Sequence, residues 1–326
     1  MSLSYLEAVV VGALQGVTEL FPVSSLGHSV ILPALIGGDW ATDLDVSAPE
    51  SPYLAFIVGL HVATAAALLV FFWRDWVRIV SGLVSSIRYR RVSTDAERLA
   101  WLIILATIPI GLAGLLLEHL FRTVLGRPVP AAAFLIANGV ILLVGERLRR
   151  RAPGSRPVLQ VIADKAEPRA HGPSAERAAV RDLDAGITGT EADLRSDRRI
   201  AQLPLWRGVL VGSSQILALL PGISRSGVAM VTGLSQGLSH RDAARFSFLL
   251  ATPVILAAGI LKIPDLTGPL GAGIGGPVLA GSLASFVAAY VSVRFLERYF
   301  RTRTLYPFAI YSLIVGAAAL IWLSLR

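Results

Sequence analysis

Long apolar stretches separated by short polar ones run through most of the chain, and in two places the apolar stretch is half length and broken at a proline. The first such place is 3–37, where apolar sequence to Phe21 is interrupted by Pro22 and a second short piece, Ser29 to Ile36, ends at Gly37 and Gly38. A helix needs about 20 apolar residues to cross a bilayer, so two shorter pieces about a polar turn predict a re-entrant helix–loop–helix hairpin. Uninterrupted spans follow at 52–73, 99–117 and 130–146, and Pro109 inside the second predicts a kink there. Leu203 to Leu220 repeats the opening: a half-length piece, a break at Pro221 and Gly222, a hydroxyl-rich turn with one charge, and a second half from Val228 to Leu238. This hairpin, 203–238, precedes spans at 243–263, 277–293 and 305–325. Each half, 1–150 and 201–326, reads hairpin, span, span, span; because three spans is an odd number, the second half must be inverted relative to the first. The predicted fold is an all-α integral membrane protein with about six transmembrane helices and two re-entrant hairpins in an inverted-topology repeat.

Between the halves the pattern stops. Residues 151–200 mix Pro, Gly, Asp, Glu and Arg with no apolar period, which predicts a polar, disordered cytoplasmic insertion. Composition agrees with a membrane protein: of 326 residues, 54% are hydrophobic and only 16% charged. The net charge of +8 comes from arginine clusters beside apolar segments, at Arg74 to Arg91, Arg147 to Arg151 and Arg294 to Arg303. All three fall on one side in this topology, so the positive-inside rule makes that side cytoplasmic and turns the reading away from nucleic acid. The acidic stretch 39–50 then lies outside, the first hairpin enters from outside and the second from the cytoplasm. The absence of cysteine excludes disulfides and thiolate metal sites. The first twenty residues lack a basic start and contain Glu7, Gln15 and Glu19, which argues against a cleaved signal peptide.

The polar residues that matter are those at the two breaks, because an ionisable group at membrane depth costs about 2.5–3.5 kcal/mol and is rarely retained without a task. Gln15 and Glu19 are four apart and share a helical face, presenting oxygens to a cation or substrate. Ser24, Ser25, Gly27 and His28 begin the next half-helix, where free backbone N–H groups and the helix dipole favour an anion. The second break, Gly222 to Gly227, carries Ser224, Arg225 and Ser226, and arginine offers a planar fork suited to phosphate oxygens. Two helix N-termini, one arginine, hydroxyls, an imidazole and a carboxylate describe a site for a phosphorylated ligand. The bland readings are helix caps for the serines and an interhelical contact for the Gln15–Glu19 pair. His61, in mid-span, reads as a polar packing contact rather than a ligand.

At these residues the sequence resembles the undecaprenyl-pyrophosphate phosphatase family, also called the BacA family. Gln15-x-x-x-Glu19 followed by Pro-Val-Ser-Ser-x-Gly-His28 is similar to its first motif and Pro221-Gly-x-Ser-Arg-Ser-Gly227 to its second. Further similarity runs through Gln215, Ala218 to Leu220 and Ala244 to Leu250. The resemblance implies a phosphatase of the bacterial cytoplasmic membrane that removes the terminal phosphate of a polyprenyl diphosphate outside that membrane and depends on a divalent cation, Mg2+ or Ca2+. It makes Glu19, Ser25, His28 and Arg225 catalytic, Gln15 and Glu19 metal-facing, and Gln15, Ser24, Gly27, Gly222, Ser224 and Ser226 substrate-binding. A serine attacking phosphorus needs a base, and either Glu19 or His28 can serve. The expected partners are the polyprenyl diphosphate and membrane lipids, with a homodimer as the assembly to consider. Leu26 and Ala229 stand where many members carry Thr, and Gln15 where many carry Glu. A lipid flippase or secondary transporter is the competing class, since broken helices in inverted repeats also build transporters.

Overall fold

The computed structural model describes residues 3–44, 52–120, 124–151, 189–267 and 273–325, and those residues form helices joined by turns. Helix α1 (Tyr5–Thr18) opens with a capping box in which Ser4 Oγ accepts from the Glu7 N–H and Glu7 Oε2 accepts from the Ser4 N–H. It stops short of Pro22, and α2 (Ser25–Ile36) begins after a tight turn, giving the first half-length hairpin. A short α3 (Asp39–Asp43), α4 (Pro52–Phe71), α5 (Trp73–Tyr89), α6 (Asp95–Leu120) and α7 (Pro128–Arg151) complete the first half. The second contains α8 (Gly189–Ala201), α9 (Leu205–Ser214) continued by a 3-10 turn to Leu219, α10 (Arg225–Ser235), α11 (His240–Thr267), α12 (Gly275–Tyr299) and α13 (Tyr306–Ser324). Among the described residues α6, α7, α11, α12 and α13 contain segments long and apolar enough to cross a bilayer, while α1, α2 and α9 are apolar but too short. Helix α4 joins the set if it and α5, bent by 85° from it, are taken as one broken span. The chain is an all-α, multi-pass membrane protein.

Two features depart from the sequence pattern, and Pro109 falls within a continuous helix. The arginine-rich stretch after Trp73 is helical: α5 buries Asp75, Ile79, Gly82 and Ser86, while Trp73, Val77, Val80, Val84 and Ile87 form an exposed apolar row. That amphipathic division suits a helix lying in a lipid–water interface, and the bend after Phe71 turns it out of the direction of α4. Pro109 lies inside α6, which continues through it to Leu120. The expected disordered insertion at 151–200 divides: 152–188 lie outside the described residues, whereas 189–201 form α8 against α6 and α11. Helix α8 is held by charge. The buried Arg245 of α11 meets Asp197 at 2.8 Å, Asp193 at 3.4 Å and, on α5, Asp75 at 2.9 Å. Arg199 grips Asp242 with two bonds of 2.7 Å.

The halves pack in corresponding pairs: α1 runs along α12 as α9 runs along α6, α4 meets α11, and α7 meets α13. Corresponding glycines permit the first two contacts. A Cβ on Gly12 would lie 2.2 Å from the Gly281 carbonyl oxygen, and one on Gly212 would lie 1.9 Å from that of Ala106. Such small-residue contacts let helix backbones approach where no hydrophobic force drives helices together. Gly12→Val therefore forces α1 off α12 and should lower stability by about 1–3 kcal/mol or more, read as a lower thermal midpoint in detergent.

Candidate functional site

The two hairpin turns meet tip to tip. Ser24, held at φ +70° in the left-handed region that side chains seldom occupy, caps α2 by accepting from the Gly27 N–H at 3.2 Å. The same Ser24 Oγ accepts from the N–H of Gly222, in the other turn, at 3.2 Å. Ser224 caps α10 in the equivalent way, accepting from the Gly227 N–H at 3.1 Å, and its Oγ lies 3.0 Å from Ser226 Oγ. Ser226 in turn donates to the Phe21 carbonyl at 3.3 Å. Gly27 and Gly222 are in direct contact, since a Cβ on Gly27 would fall 2.8 Å from Gly222 Cα. Of the predicted substrate contacts, Ser24, Gly27, Gly222, Ser224 and Ser226 are thus engaged in joining the turns to each other and to their own helices.

The charges lie at the ends of the half-helices. Glu19 closes α1, Ser25 opens α2 and Arg225 opens α10. Arg225 Nη2 donates to Glu19 Oε1, and Ser25 Oγ donates to Glu19 Oε2, both at short range. Arg225 also reaches the Ala251 carbonyl of α11 at 3.4 Å. Gln15, one turn before Glu19, donates to Glu19 Oε2 at 3.0 Å. His61 of α4 faces the same cluster, its Nε2 standing 3.2 Å from Gln15 Nε2 and 3.5 Å from Glu19 Oε2. Because His61 Nδ1 donates to the Ile57 carbonyl at 2.8 Å, neutral His61 presents Nε2 as the acceptor for the Gln15 amide. Gln15, Glu19, Ser25 and Arg225 are therefore brought together from both halves of the chain, and the polar contacts that His61 makes are with Gln15 and Glu19 of this cluster.

His28 is directed elsewhere. Its Nδ1 donates to the Ser24 carbonyl at 2.7 Å, and its Nε2 pairs at 2.9 Å with the hydroxyl of Tyr311 on α13, the two rings stacking at 5.8 Å. Of the two candidate bases for Ser25, the one in hydrogen-bond contact is Glu19. Tyr311 and Asn138, a fully buried amide on α7 in contact with both turns, leave no signal in the chain beyond a polar group in an apolar span.

Chemically, the cluster combines a hydroxyl already donating to a carboxylate, a guanidinium, and the first turns of α2 and α10, whose N–H groups carry partial positive charge. A divalent cation fits it through oxygen. Gln15 Oε1 is buried with no hydrogen-bond partner, and the Glu19 carboxylate is adjacent, but among the described residues no group of three or more His, Asp or Glu forms a complete cage. Two protein oxygens completed by phosphate oxygens and water is a coordination habit of Mg2+.

Comparison with known proteins gives one family: the model described as "Bacitracin resistance protein BacA" matches residues 8–318. Among similar proteins, one from Mycolicibacterium paratuberculosis named undecaprenyl-diphosphatase is 67% identical over 324 residues, covering 99% of each chain. Another from Frankia casuarinae, undecaprenyl-diphosphatase 1, is 55% identical across 98% of each chain. A third from Acidiphilium cryptum, undecaprenyl-diphosphatase, is 41% identical over 96% of each.

The Glu19–Arg225 pair sets a stability test independent of any reaction. Removing one partner of a buried pair strands the other, at about 3–5 kcal/mol, whereas removing both is far less damaging. Arg225→Met should therefore lower the thermal midpoint in detergent strongly, and Glu19→Gln combined with Arg225→Met should restore most of it.

Proposed function

The chain belongs to the bacitracin resistance protein BacA family, and from that membership we propose that it is an undecaprenyl-diphosphatase, a membrane enzyme that hydrolyses undecaprenyl diphosphate to the monophosphate and inorganic phosphate. Such a reaction returns the lipid carrier to cell-wall synthesis and fits the family's link to bacitracin resistance. The observation that carries the site assignment is the contact of Ser25 Oγ with Glu19 Oε2 while Arg225 holds the other carboxylate oxygen.

In this reading the terminal phosphate of the lipid enters between the N-termini of α2 and α10. The Arg225 fork moves from the carboxylate to the phosphate oxygens, where its planar donors and the N–H groups of both helices stabilise the charge of the transferring phosphoryl group. Glu19, released from the guanidinium, takes the Ser25 proton as Oγ attacks the terminal phosphorus. The bond to the bridging oxygen breaks, the protonated Glu19 passes that proton to the departing phosphate oxygen, and the lipid leaves as its monophosphate with Glu19 a carboxylate again. Water, deprotonated by Glu19, then attacks the phosphoserine, releasing phosphate and restoring the Ser25 hydroxyl. Gln15 fixes the carboxylate from one side, and His61 fixes the Gln15 amide. His28 holds the Ser24 carbonyl and thereby the strained turn that aims Ser25. When bound at Gln15 Oε1 and Glu19, Mg2+ or Ca2+ would neutralise diphosphate charge.

The inverted-topology assignment for 1–150 and 201–326, with the arginine clusters in the cytoplasm and the site open to the outside of the bacterial cytoplasmic membrane, belongs to this proposal. It is supported by the corresponding helix pairs of the two halves. A hydroxyl hydrogen-bonded to a carboxylate favours hydrolysis over transport, which needs a passage but no nucleophile.

Phosphate release from undecaprenyl diphosphate by the purified protein is the direct test. Arg225→Ala should lower kcat/KM by roughly 10³-fold, in line with the loss of a phosphoryl-clamping arginine. Acid quenching should trap phosphoserine in the parent and none in Ser25→Ala; activity untouched by Arg225→Ala would refute the site. Chelation should abolish turnover, with Mg2+ or Ca2+ restoring it, and Gln15→Leu should raise the concentration of ion needed.

A further inference from the structure

Helix α7 contributes nothing to the charged cluster, yet both hairpin turns rest on it. Gly222, at φ +111°, lies so close that a Cβ would sit 2.4 Å from the Ala131 carbonyl oxygen and 2.7 Å from the Leu135 nitrogen. One turn further along the same face is Asn138, fully buried. Its Nδ2 donates to the Pro22 carbonyl of the first turn at 3.0 Å and to Ser312 Oγ of α13 at 3.2 Å. Its Oδ1 accepts from the Ser224 N–H of the second turn at 3.0 Å. The chemistry of the partners fixes the amide's orientation, because a carbonyl must face a donor and an N–H an acceptor.

The two groups held are close to the reacting ones in the chain. Pro22 precedes the strained Ser24 and the adjacent Ser25; Ser224 immediately precedes Arg225. Both are backbone groups that have no partner of their own within a regular helix, and a buried polar group left without a partner is costly. One side chain satisfies both, so the distance between the turns is set by the width of a single amide.

We propose that Asn138 is a positioning residue that locks the two hairpin turns in register and so fixes Ser25 relative to Arg225. The inference rests on the reading of those two residues as nucleophile and clamp. Asn138 touches no substrate, and its removal acts through geometry, where displacements near 1 Å cost about 100-fold in rate.

The test compares Asn138→Ala, Asn138→Asp and Ser312→Ala in the full-length protein in lipid nanodiscs, with undecaprenyl diphosphate as substrate and backbone hydrogen exchange as a second readout. Asn138→Ala should lower kcat about 10- to 100-fold with KM changed less than about three-fold, and should speed exchange at the Ser224 amide. Asn138→Asp keeps the acceptor and loses the donor, so it should lower kcat while Ser224 stays protected. Ser312→Ala removes only the contact with α13 and should leave both readouts at parent values. Parent-like kcat in Asn138→Asp, or in Asn138→Ala with parent-like exchange, overturns the proposal, as does an equal loss in Ser312→Ala, which would make Asn138 a tether between α7 and α13. Should Asn138→Ala fail to fold, Asn138→Asp decides by itself. An inactive parent protein would refute the phosphatase reading, and exchange at Ser224 would still report whether the bridge exists.

Discussion

A carboxylate from the first half of the chain and a guanidinium from the second, each at the end of a half-length helix, meet inside an apolar bundle. Neither group can stay charged there alone, so their pairing is a condition for both hairpins being present together. Glu19 is 8% exposed, and it is further bound by Ser25 and Gln15, so both of its oxygens accept hydrogen bonds in the resting protein. In the proposed reaction the pair is also self-inhibiting: a phosphate competes with Glu19 for Arg225, and winning that competition frees the carboxylate to accept a proton. Binding and activation of the base are one exchange of partners.

Around that pair the bundle supplies rigidity by close approach. Gly12 on Gly281 and Gly212 on Ala106 bring the first arm of each hairpin against a long helix of the other half. Each arm is therefore held from outside its own half, and the hairpins' inner ends can press their turns together. Ser24 illustrates the result. Its backbone sits in a left-handed conformation that a serine adopts only under constraint, and its hydroxyl serves both its own helix and Gly222 of the opposite turn.

What the chain reveals before folding follows from the kind of signal each feature leaves. Proline with hydroxyl-rich turns between half-length apolar pieces marks a break in any apolar sequence, so both hairpins and their charged residues were legible, as were the long spans. Residues such as Gln15 and Glu19 announce their proximity by helical spacing. His61 and Tyr311 do not, because the contacts that matter join helices distant in sequence, and a polar side chain in mid-span reads the same whether it faces a neighbour or a site. That same blindness made His28 look like a partner of Ser25, when its nitrogens bind Ser24 and Tyr311. Helix α5 was hidden because its arginines end a hydrophobic run, although its apolar row recurs every three or four residues. Helix α8 was hidden because its partners are charges: Asp193, Asp197 and Arg199 look solvated until Arg245 and Asp242 are placed beside them.

The ionic mooring of α8 also bears on how this protein can vary. Because Asp193, Asp197 and Arg199 fasten the start of the second half to α5 and α11, residues 152–188 connect two elements whose positions are already determined. Lengthening such a connection is thermodynamically mild, with each doubling adding only about 0.6 kcal/mol of closure entropy. Evolution is thus free to graft new sequence at this junction, and an engineer seeking a place for a tag or reporter would find it there.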